Sequence, residues 1–491
     1  MPIKNLSLFN HTKVVDEENI IIGSGAGGST VALELLKKGK KSVILEEGPD
    51  VTNYNVSNIG RSIVNLYKNN GATPIISTNG GPLIGYGQGS CVGGSTYVNG
   101  GYFSNTPERV FHKWLDEKRT ILNHKDFIKL LDEIKLEMKI STENLTSKDG
   151  DSKFLFDRAK EMNWSIEKCE RFSTGLEGKE KQNMNTTYHK KLLENNVDII
   201  HNCKVEKITA HNKTAKSIEV LNKIDNKKYY FKFKNLFINC GPINTPYLLL
   251  KNKLVKFEKK EKQFEFHINF KIIVKFRKEI NLNQSNKFDP NLPISIYFIR
   301  EFEKDGALLS AANSELSYML ATCSHFNENT KKDLFQNTSN YAMYIYQIKS
   351  SSLGRINYFL DNPFVEYEYN IKDNEEIKKA INRTADFFFN GDAEFILYPF
   401  ENSLPIKSIK EAKDLSNNFN PKKLHSVSVH GMSSMRSGVG EDYKTDYYGK
   451  LKTLENVYIN DASVLPGNTG ESPQASIMAF AKFMIKNSNI N

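Results

Sequence analysis

A short apolar strand that runs into a glycine-rich turn constrains the fold of this chain more than any other stretch. Ile20–Ile22 are followed by Gly23, Gly25 and Gly28, which fit the pattern G-x-G-x-x-G, and then by a helical run. In this pattern the first glycine permits a tight turn, the second lets backbone approach a pyrophosphate, and the third lets the helix pack on the strand. The N–H groups at the helix N-terminus then face the phosphates. The stretch therefore predicts a parallel strand, helix and strand unit that binds a dinucleotide.

An acidic residue closes the second strand of this unit. Val43–Leu45 are apolar, and Glu46 follows them about 20 residues after the glycines. A carboxylate at that position accepts hydrogen bonds from the ribose hydroxyls of a dinucleotide. Because strand, turn, helix, second strand and acid occur together, the sequence favours dinucleotide binding over the alternative of a glycine-rich turn without a ligand.

The length and composition of the chain bound the kind of protein that it can be. Its 491 residues, 39% of them hydrophobic, suffice for roughly two or three domains with a sizeable core. No apolar run reaches the roughly 18 residues of a membrane-spanning helix. The N-terminal residues also lack the pattern of a signal peptide. We therefore expect a cytoplasmic protein without stable membrane insertion.

The charged residues and the cysteines indicate no specialised site. The formal charge of +10 comes from lysines that are mixed with acids and asparagines along the chain, so we interpret it as a solvated surface and not as a face for nucleic acid. The cysteines lack the spacing of metal sites, and we expect reduced thiols and no bound metal. They are Cys91, Cys169, Cys203, Cys240 and Cys323.

A second glycine-rich segment extends from Gly85 to Gly101. Its glycines let backbone lie close against a flat or charged ligand. The interleaved Val92, Tyr97 and Val98 favour an ordered loop over a mobile one. We therefore predict that this loop contacts the bound cofactor.

The residue pattern changes beyond position 255. Alternating polar and apolar residues predict strands over 264–276, 294–299, 316–321, 341–348, 355–360 and 365–369. Helical spacing follows over 374–390 and again over 474–486. These segments indicate a largely antiparallel sheet with helices on one side.

The fold class predicted from these patterns is α/β, a Rossmann-like nucleotide-binding domain with an inserted α+β substrate domain built on an antiparallel sheet. The predicted limits are 1–110, 199–255 and 421–491 for the nucleotide-binding domain, 111–198 for a helical excursion partly in the substrate domain, and 256–420 for the substrate domain.

Five motifs, in their order along the chain, resemble the glucose-methanol-choline (GMC) family of flavin-dependent oxidoreductases. The N-terminal third and the C-terminal sixth resemble the family well, and residues 111–235 do so poorly. The five motifs are Gly23–Gly28 with Glu46, Val92–Asn99, Gly241–Leu249, His430 with Arg436 and Gly438, and Asp461–Pro473. Within the family, the residues of the second motif resemble those of branches that act on long-chain alcohols or sterols more than those of sugar oxidases.

The resemblance implies that the cofactor is FAD and that the nucleotide-binding domain is an FAD-binding domain. It also implies which residues of this chain lie near each part of FAD. These are Gly23, Gly25 and Gly28 at the pyrophosphate, Glu46 at the adenosine ribose, Val205 at the adenine, Gly93, Gly94, Ser95, Asn99, Asp461 and Ala462 at the flavin, and Pro473 at a helix N-terminus beside the flavin.

The resemblance further implies oxidation of the CH–OH group of a small-molecule alcohol to the carbonyl. His430 matches the active-site histidine of the family, and histidine has a suitable pKa range for a general base that takes the hydroxyl proton. Ser472 stands where the family usually has a second histidine or an asparagine, and we expect its shorter hydroxyl to orient the substrate.

Two alternatives stay open from the residues alone. In one, Ser472 marks an altered or lost site, and the protein binds flavin without oxidising an alcohol. In the other, a nicotinamide-dependent dehydrogenase uses only the G-x-G-x-x-G unit. The electron acceptor, whether oxygen, a quinone or a redox protein, has no signature in the sequence.

Overall fold

A computed structural model of the chain describes residues 3–9, 14–52, 54, 59–140, 150–168, 170–174, 180–258, 260–281, 297–312, 314, 316–323 and 325–490. The predicted strand over 294–299 lies partly outside these residues, and its described part, Tyr297–Ile299, is a strand. Cys169 also lies outside them.

The first sheet is built on the parallel unit that the glycine pattern predicts. Val14–Ile22 lies between Val43–Leu45 and Lys228–Ile238 and runs parallel to both, and Ile20–Ile22 are buried on both faces. In spatial order the strands are Lys4–Asn5, Asp198–His201, Val43–Leu45, Val14–Ile22, Lys228–Ile238, Thr214–Asn222 and Cys203–His211, with Val457–Ile459 also paired to Lys228–Ile238.

The second sheet is largely antiparallel and is centred on the long strand Glu265–Phe276. In spatial order its strands are Leu353–Phe359, Asn362–Glu368, Thr73–Ser77, Ile84–Tyr86, Ser426–Ser428, Glu265–Phe276, Tyr341–Lys349, Ala307–Ala311, Tyr297–Ile299 and Ile166–Lys168, with Ala393–Leu397 and Gly431–Met432 also paired to Glu265–Phe276. Two short pairs complete the strands, Tyr102–Phe103 with Glu170–Arg171 and Ser173–Thr174 with Glu180–Lys181. The two sheets confirm the predicted fold class.

Some of the α-helices, such as Ala26–Lys37 and Ile371–Phe389, pack on these sheets, and others pack on those helices. The α-helices are Ala26–Lys37, Ile59–Leu66, Ser95–Val98, Glu108–Asp116, His124–Glu137, Gly150–Glu161, Tyr188–Glu194, Asn244–Lys251, Leu316–Thr322, Glu328–Gln336, Ile371–Phe389, Ile409–Asn417 and Gln474–Asn487. Within the described part of the chain, none of them is both long and apolar enough to span a bilayer.

One secondary-structure prediction is wrong, because residues 316–321 belong to the helix Leu316–Thr322 and not to a strand. Met319 and Cys323 are fully buried four residues apart, and the partly buried Leu316 packs against the same cluster. This spacing puts the three side chains on one helix face. A short apolar run of this length does not by itself distinguish a strand from a helix.

The domain limits given above stay a prediction. The strand pairing adds that Thr73–Ser77, Ile84–Tyr86 and Ser426–Ser428 lie in the second sheet, although the sequence places them within the nucleotide-binding segments. The chain therefore crosses between the two sheets repeatedly, and residues from distant segments meet where the sheets face each other.

Alternation along the strand Glu265–Phe276 divides its side chains between two environments. Phe266, Ile268 and Phe270 are fully buried in the core of the second sheet. Their neighbours His267, Asn269 and Lys271 point to the opposite face, because successive strand residues alternate sides. The second sheet thus presents polar groups on the face that is turned away from its own core.

A buried cluster of charges joins the last helix to two others. The Lys482 side chain is fully buried, and its Nζ lies 2.8 Å from Glu34 Oε1 and 2.8 Å from Glu137 Oε1. Lys37 Nζ lies 2.6 Å from the same two carboxylates. Lys482 Nζ also lies 3.3 Å from Glu133 Oε2, which pairs in turn with Lys486. Three cations and three anions therefore balance between the helices Ala26–Lys37, His124–Glu137 and Gln474–Asn487.

Replacing Lys482→Ala should lower the free energy of unfolding by about 3–5 kcal/mol, because it leaves buried carboxylates short of a cation. Lys129→Ala is the matched control, since its exposed pair with Asp126 at 2.8 Å lies outside the cluster and should contribute less than about 1 kcal/mol. Urea denaturation of the three proteins measures both values. Equal losses in the two variants would contradict a special role for the buried cluster.

Candidate active site

A cavity of about 530 Å³ is lined by residues of both sheets. Most of the residues predicted from the sequence line it, and their individual contacts with a cofactor stay a prediction. Those that line it are Gly23, Gly25, Glu46, Gly94, Ser95, Asn99, Val205, His430, Asp461, Ala462, Ser472 and Pro473. Segments that are far apart in the sequence therefore meet around one volume.

Gly28 and Gly93 are not among the residues that line the cavity, and their contact with the cofactor stays a prediction. A Cβ on Gly28 would lie 1.9 Å from the carbonyl oxygen of Gly23, so Gly28 serves the packing of helix on strand. The N–H of Gly93 donates to Ser24 Oγ at 2.9 Å, and a Cβ there would lie 2.7 Å from Asn185 Oδ1. Both glycines therefore pack closely against other parts of the chain.

The glycine turn forms a cradle at one end of the cavity. Gly23 has a φ of +98°, and a Cβ there would lie 2.3 Å from the carbonyl oxygen of Asn239. Gly25 precedes the helix Ala26–Lys37, and no side chain caps that helix. In the second glycine-rich segment, a Cβ on Gly94 would lie 3.0 Å from the Cα of Gly25. An uncapped helix N-terminus that lines the cavity fits an anionic group such as a pyrophosphate.

Glu46 is held rigidly at the edge of this cradle. Its Oε2 accepts from the N–H of Ser24 at 2.9 Å and from Ser24 Oγ at 2.7 Å, and its Oε1 accepts from the N–H of Gly48 at 2.8 Å. Burial raises the pKa of Glu46 in spite of these donors. Because a carboxylate oxygen has two lone pairs, Oε1 keeps one for a ribose hydroxyl.

An unpartnered hydrogen-bond donor lies in the wall of the cavity. Asn99 Nδ2 donates to Gln474 Oε1 at 2.7 Å, which leaves Gln474 Nε2 buried without a partner among the described residues. Asn99 and Gln474 both line the cavity. A ligand with acceptor atoms on a flat ring, such as a flavin, fits this donor.

The carboxylate of Asp461 connects two segments of the chain through hydrogen bonds. It accepts from the N–H of Gly241 at 2.7 Å, from Thr245 Oγ1 at 2.5 Å, and from the N–H and Oγ of Ser463 at 2.8 and 2.5 Å. Burial raises the pKa of Asp461. Its side chain thus ties the C-terminal segment to the turn at Gly241, while Ala462 beside it lines the cavity.

His430 faces the cavity and is backed by a second histidine, His267. The two Nδ1 atoms are 3.0 Å apart, and His267 Nε2 lies 2.5 Å from Asn468 Oδ1. The N–H of His267 also donates to the carbonyl oxygen of His430 at 3.2 Å, so backbone contact aligns the two rings.

Asn468 determines which ring nitrogens hold protons. Its Nδ2 donates to the carbonyl oxygen of Phe266 at 3.0 Å, and its Oδ1 accepts from the N–H of Gly470 at 3.0 Å. The amide orientation is thereby set, so His267 Nε2 must donate to Asn468 Oδ1. A neutral His267 then accepts at Nδ1, and His430 must donate from its own Nδ1. The remaining nitrogen of His430, Nε2, carries a lone pair.

Both histidines are neutral near pH 7. Burial lowers the pKa of His430 to about 4, and it lowers the pKa of His267 well below its usual range. No described residue forms a hydrogen bond with His430 Nε2. A neutral imidazole with a free lone pair at a cavity wall is a proton acceptor in position for a ligand hydroxyl.

Ser472 lines the same cavity, directly before Pro473 and the N-terminus of helix Gln474–Asn487. No described residue forms a hydrogen bond with its hydroxyl. His267 does not take the place of the family's second histidine, because both of its ring nitrogens are engaged behind His430. The hydroxyl of Ser472 therefore stays available to a ligand.

Sequence reasoning missed His267 and Asn468. His267 lies in a correctly predicted strand, where a lone histidine has no local signal of function. Asn468 lies in the fifth motif, but nothing near it in the sequence indicates a partner 201 positions away. Only the pairing of distant segments reveals the chain of hydrogen bonds.

A Rossmann-like nucleotide cradle, joined at one cavity to an antiparallel sheet and a neutral histidine, defines a flavin-dependent oxidoreductase. Two family profiles, both described as GMC oxidoreductase, match residues 17–259 and 354–481. The chain belongs to the GMC oxidoreductase family, whose members bind FAD. The cradle, the fixed Glu46 and the unpartnered Gln474 donor fit this cofactor.

Curated relatives are distant. An uncharacterised GMC-type oxidoreductase of Mycobacterium tuberculosis is 23% identical over 95% of this chain and 75% of its own length. Another, from Sinorhizobium fredii, is 22% identical over 96% of this chain and 94% of its own length. A long-chain-alcohol oxidase of Arabidopsis thaliana is 25% identical over 48% of this chain and 34% of its own length.

Solved structures share the fold. A pyridoxine 4-oxidase from Mesorbium loti has a TM-score of 0.72 at 14% identity and covers 97% of this chain and 99% of its own. A formate oxidase variant from Aspergillus oryzae RIB40 has a TM-score of 0.75 at 13% identity and covers 96% of this chain and 98% of its own. At such identities the likeness is one of fold.

Gly94→Ala should weaken FAD binding by about tenfold or more, because the added Cβ would push the loop away from Gly25 and widen the cradle. Gly39→Ala is the matched control, since Gly39 also has a positive φ, +69°, but nothing lies within 4 Å of the added Cβ. Titration of the apoprotein with FAD, followed by flavin fluorescence, compares the two. Equal affinities would contradict the role given to the close contact.

Proposed function

We propose that this protein is an FAD-dependent oxidoreductase that oxidises the CH–OH group of an alcohol to a carbonyl, with His430 as the general base. The observation that carries the proposal is the hydrogen-bond chain from Asn468 through His267 to His430. That chain leaves the lone pair of His430 Nε2 free at the cavity wall.

Removing a hydride from an alcohol carbon requires that the hydroxyl proton also leave. FAD, when bound, supplies the acceptor for the hydride. His430 Nε2 takes the proton, and His267 holds the ring in the tautomer that can accept it. Ser472 Oγ holds the substrate hydroxyl, and the N-terminus of the helix Gln474–Asn487 favours negative charge beside it.

The relatives support an oxidation, though not one substrate. Those with named activities are long-chain-alcohol oxidases, a pyridoxine 4-oxidase and a formate oxidase. We also propose that oxygen, a quinone or a redox protein accepts the electrons from the flavin. We further propose that the protein is cytoplasmic.

Replacing His430→Ala should leave FAD bound and slow flavin reduction by roughly 10²–10⁴-fold, the usual effect of losing a general base. His425→Ala is the control, because His425 is exposed and stacks on His325 outside the cavity lining. Anaerobic stopped-flow absorbance with a panel of alcohols measures the rate. Reduction at the wild-type rate would remove His430 from the mechanism, and a wild-type flavin that no alcohol reduces would favour the altered site around Ser472.

The rate of flavin reduction should depend on pH through His430. Burial disfavours the imidazolium ion, so the base stays unprotonated until the pH falls to its pKa of about 4. The rate should therefore be constant from pH 8 to about pH 5 and then fall about tenfold per pH unit below about pH 4. A stopped-flow profile with its midpoint near the ordinary histidine value would contradict this environment.

A further inference from the structure

A lysine lies in the wall of the cavity on the same strand as His267, the histidine that backs His430. Lys271 belongs to Glu265–Phe276 and lines the cavity together with Asn269. Within the described part of the chain, no acidic side chain forms an ion pair with Lys271 and no acceptor forms a hydrogen bond with it. Burial lowers the pKa of Lys271, and no nearby charge opposes that effect.

Strand geometry relates this lysine to the proposed base. His267, Asn269 and Lys271 point to one face of the strand, since each is two residues from the next. At about 3.3 Å per residue, Lys271 lies about 13 Å along the strand from His267. His267, which backs the proposed base His430, and Lys271 therefore occupy separate positions along one face of the strand.

A second unsatisfied group lies between them. Asn269 Oδ1 is buried and has no hydrogen-bond partner among the described residues. Asn269 pairs with Gln347 across the sheet, Lys271 pairs with Ile345, and Ile345 pairs in turn with Ser310. Gln347, Ser310 and the apolar Ile345 line the cavity too, so polar side chains lie on this face on either side of the paired Lys271 and Ile345.

Apolar side chains occupy the rest of this part of the wall. Phe298, Leu308 and Met343 also line the cavity. An ammonium group among them costs several kcal/mol unless an opposite charge is close. The carboxylates at the nucleotide end are engaged elsewhere, since Glu47 forms an ion pair with Lys68 and Glu46 is bonded by Ser24 and Gly48. With no described carboxylate paired to Lys271, a bound anion would stabilise its ammonium form.

We propose that Lys271 binds an anionic group of the substrate, and that the alcohol oxidised is a hydroxy acid or another hydroxyalkyl anion. The inference rests on the proposed function, because it places the hydroxyl at His430. A carboxylate and a phosphate monoester share the required chemistry. Asn269 Oδ1 accepts a hydrogen bond from a neutral donor, such as a hydroxyl, between the two ends of the substrate.

The test compares anaerobic flavin reduction by straight-chain hydroxy acids, their methyl esters and hydroxyalkyl phosphates. A charge-assisted contact should make one anion class roughly 10–100-fold more efficient than the neutral ester. In Lys271→Met this preference should disappear while the rate with the ester is retained. Lys271→Arg should restore part of it, and Lys278→Met, which removes an exposed lysine further along the chain, should keep all of it.

A binding measurement separates failure of this inference from failure of the oxidation. Non-oxidisable dicarboxylates and alkyl phosphates are titrated into the FAD-loaded protein, and the shift of the flavin absorbance is followed. A shift in the wild type that Lys271→Met abolishes supports the anion site even when no alcohol reduces the flavin. An absorbance shift with the dicarboxylates alone indicates a carboxylate site, and a shift with the alkyl phosphates alone indicates a phosphate site.

Two sets of results would overturn the anion site. If esters are oxidised as well as acids, and Lys271→Met changes neither rates nor titrations, the anion site is wrong while the oxidation stands. If Lys271→Met loses FAD or unfolds, as judged by flavin content and circular dichroism, Lys271→Arg decides. An arginine variant that folds but shows no anion preference, although the wild type shows one, also overturns the inference.

Discussion

Backbone contacts that only glycine permits hold the segments of this site together. A Cβ on Gly23 would lie 2.3 Å from the carbonyl oxygen of Asn239, and one on Gly27 would lie 2.4 Å from that of Asn460. Gly94 packs against the same turn. Through these contacts the first turn meets three segments that occur much later in the chain. The cradle, the hydrogen bonds of Asp461 and the position of the N-terminus of the last helix all depend on these close backbone contacts.

The low polarity of the cavity has opposite consequences for two basic side chains. Burial disfavours the charged form of each. For His430 this preserves a neutral ring, and a neutral ring can accept a proton. For Lys271 the same burial makes an unpaired cation costly, which favours a ligand that brings negative charge. One physical environment thereby supports both the proposed chemistry and the proposed selectivity.

Prediction succeeded where a local pattern has a single structural meaning. The glycine spacing with Glu46 predicted the parallel unit, and strict alternation predicted the strand Glu265–Phe276. It failed over 316–321, because a short apolar run fits both periods and the buried face of Met319 and Cys323 decided for a helix.

By itself the sequence determined the nucleotide-binding turn, the two kinds of sheet, and the motif position of His430, since each is encoded within a few consecutive residues. Only the tertiary structure decided that His267 and Asn468 orient that histidine, because the hydrogen bonds involved join residues 163 and 201 positions apart. It also decided that the polar face around Lys271 lines a cavity. Alternation in a strand shows that one face is polar, but what covers that face depends on how the two sheets pack.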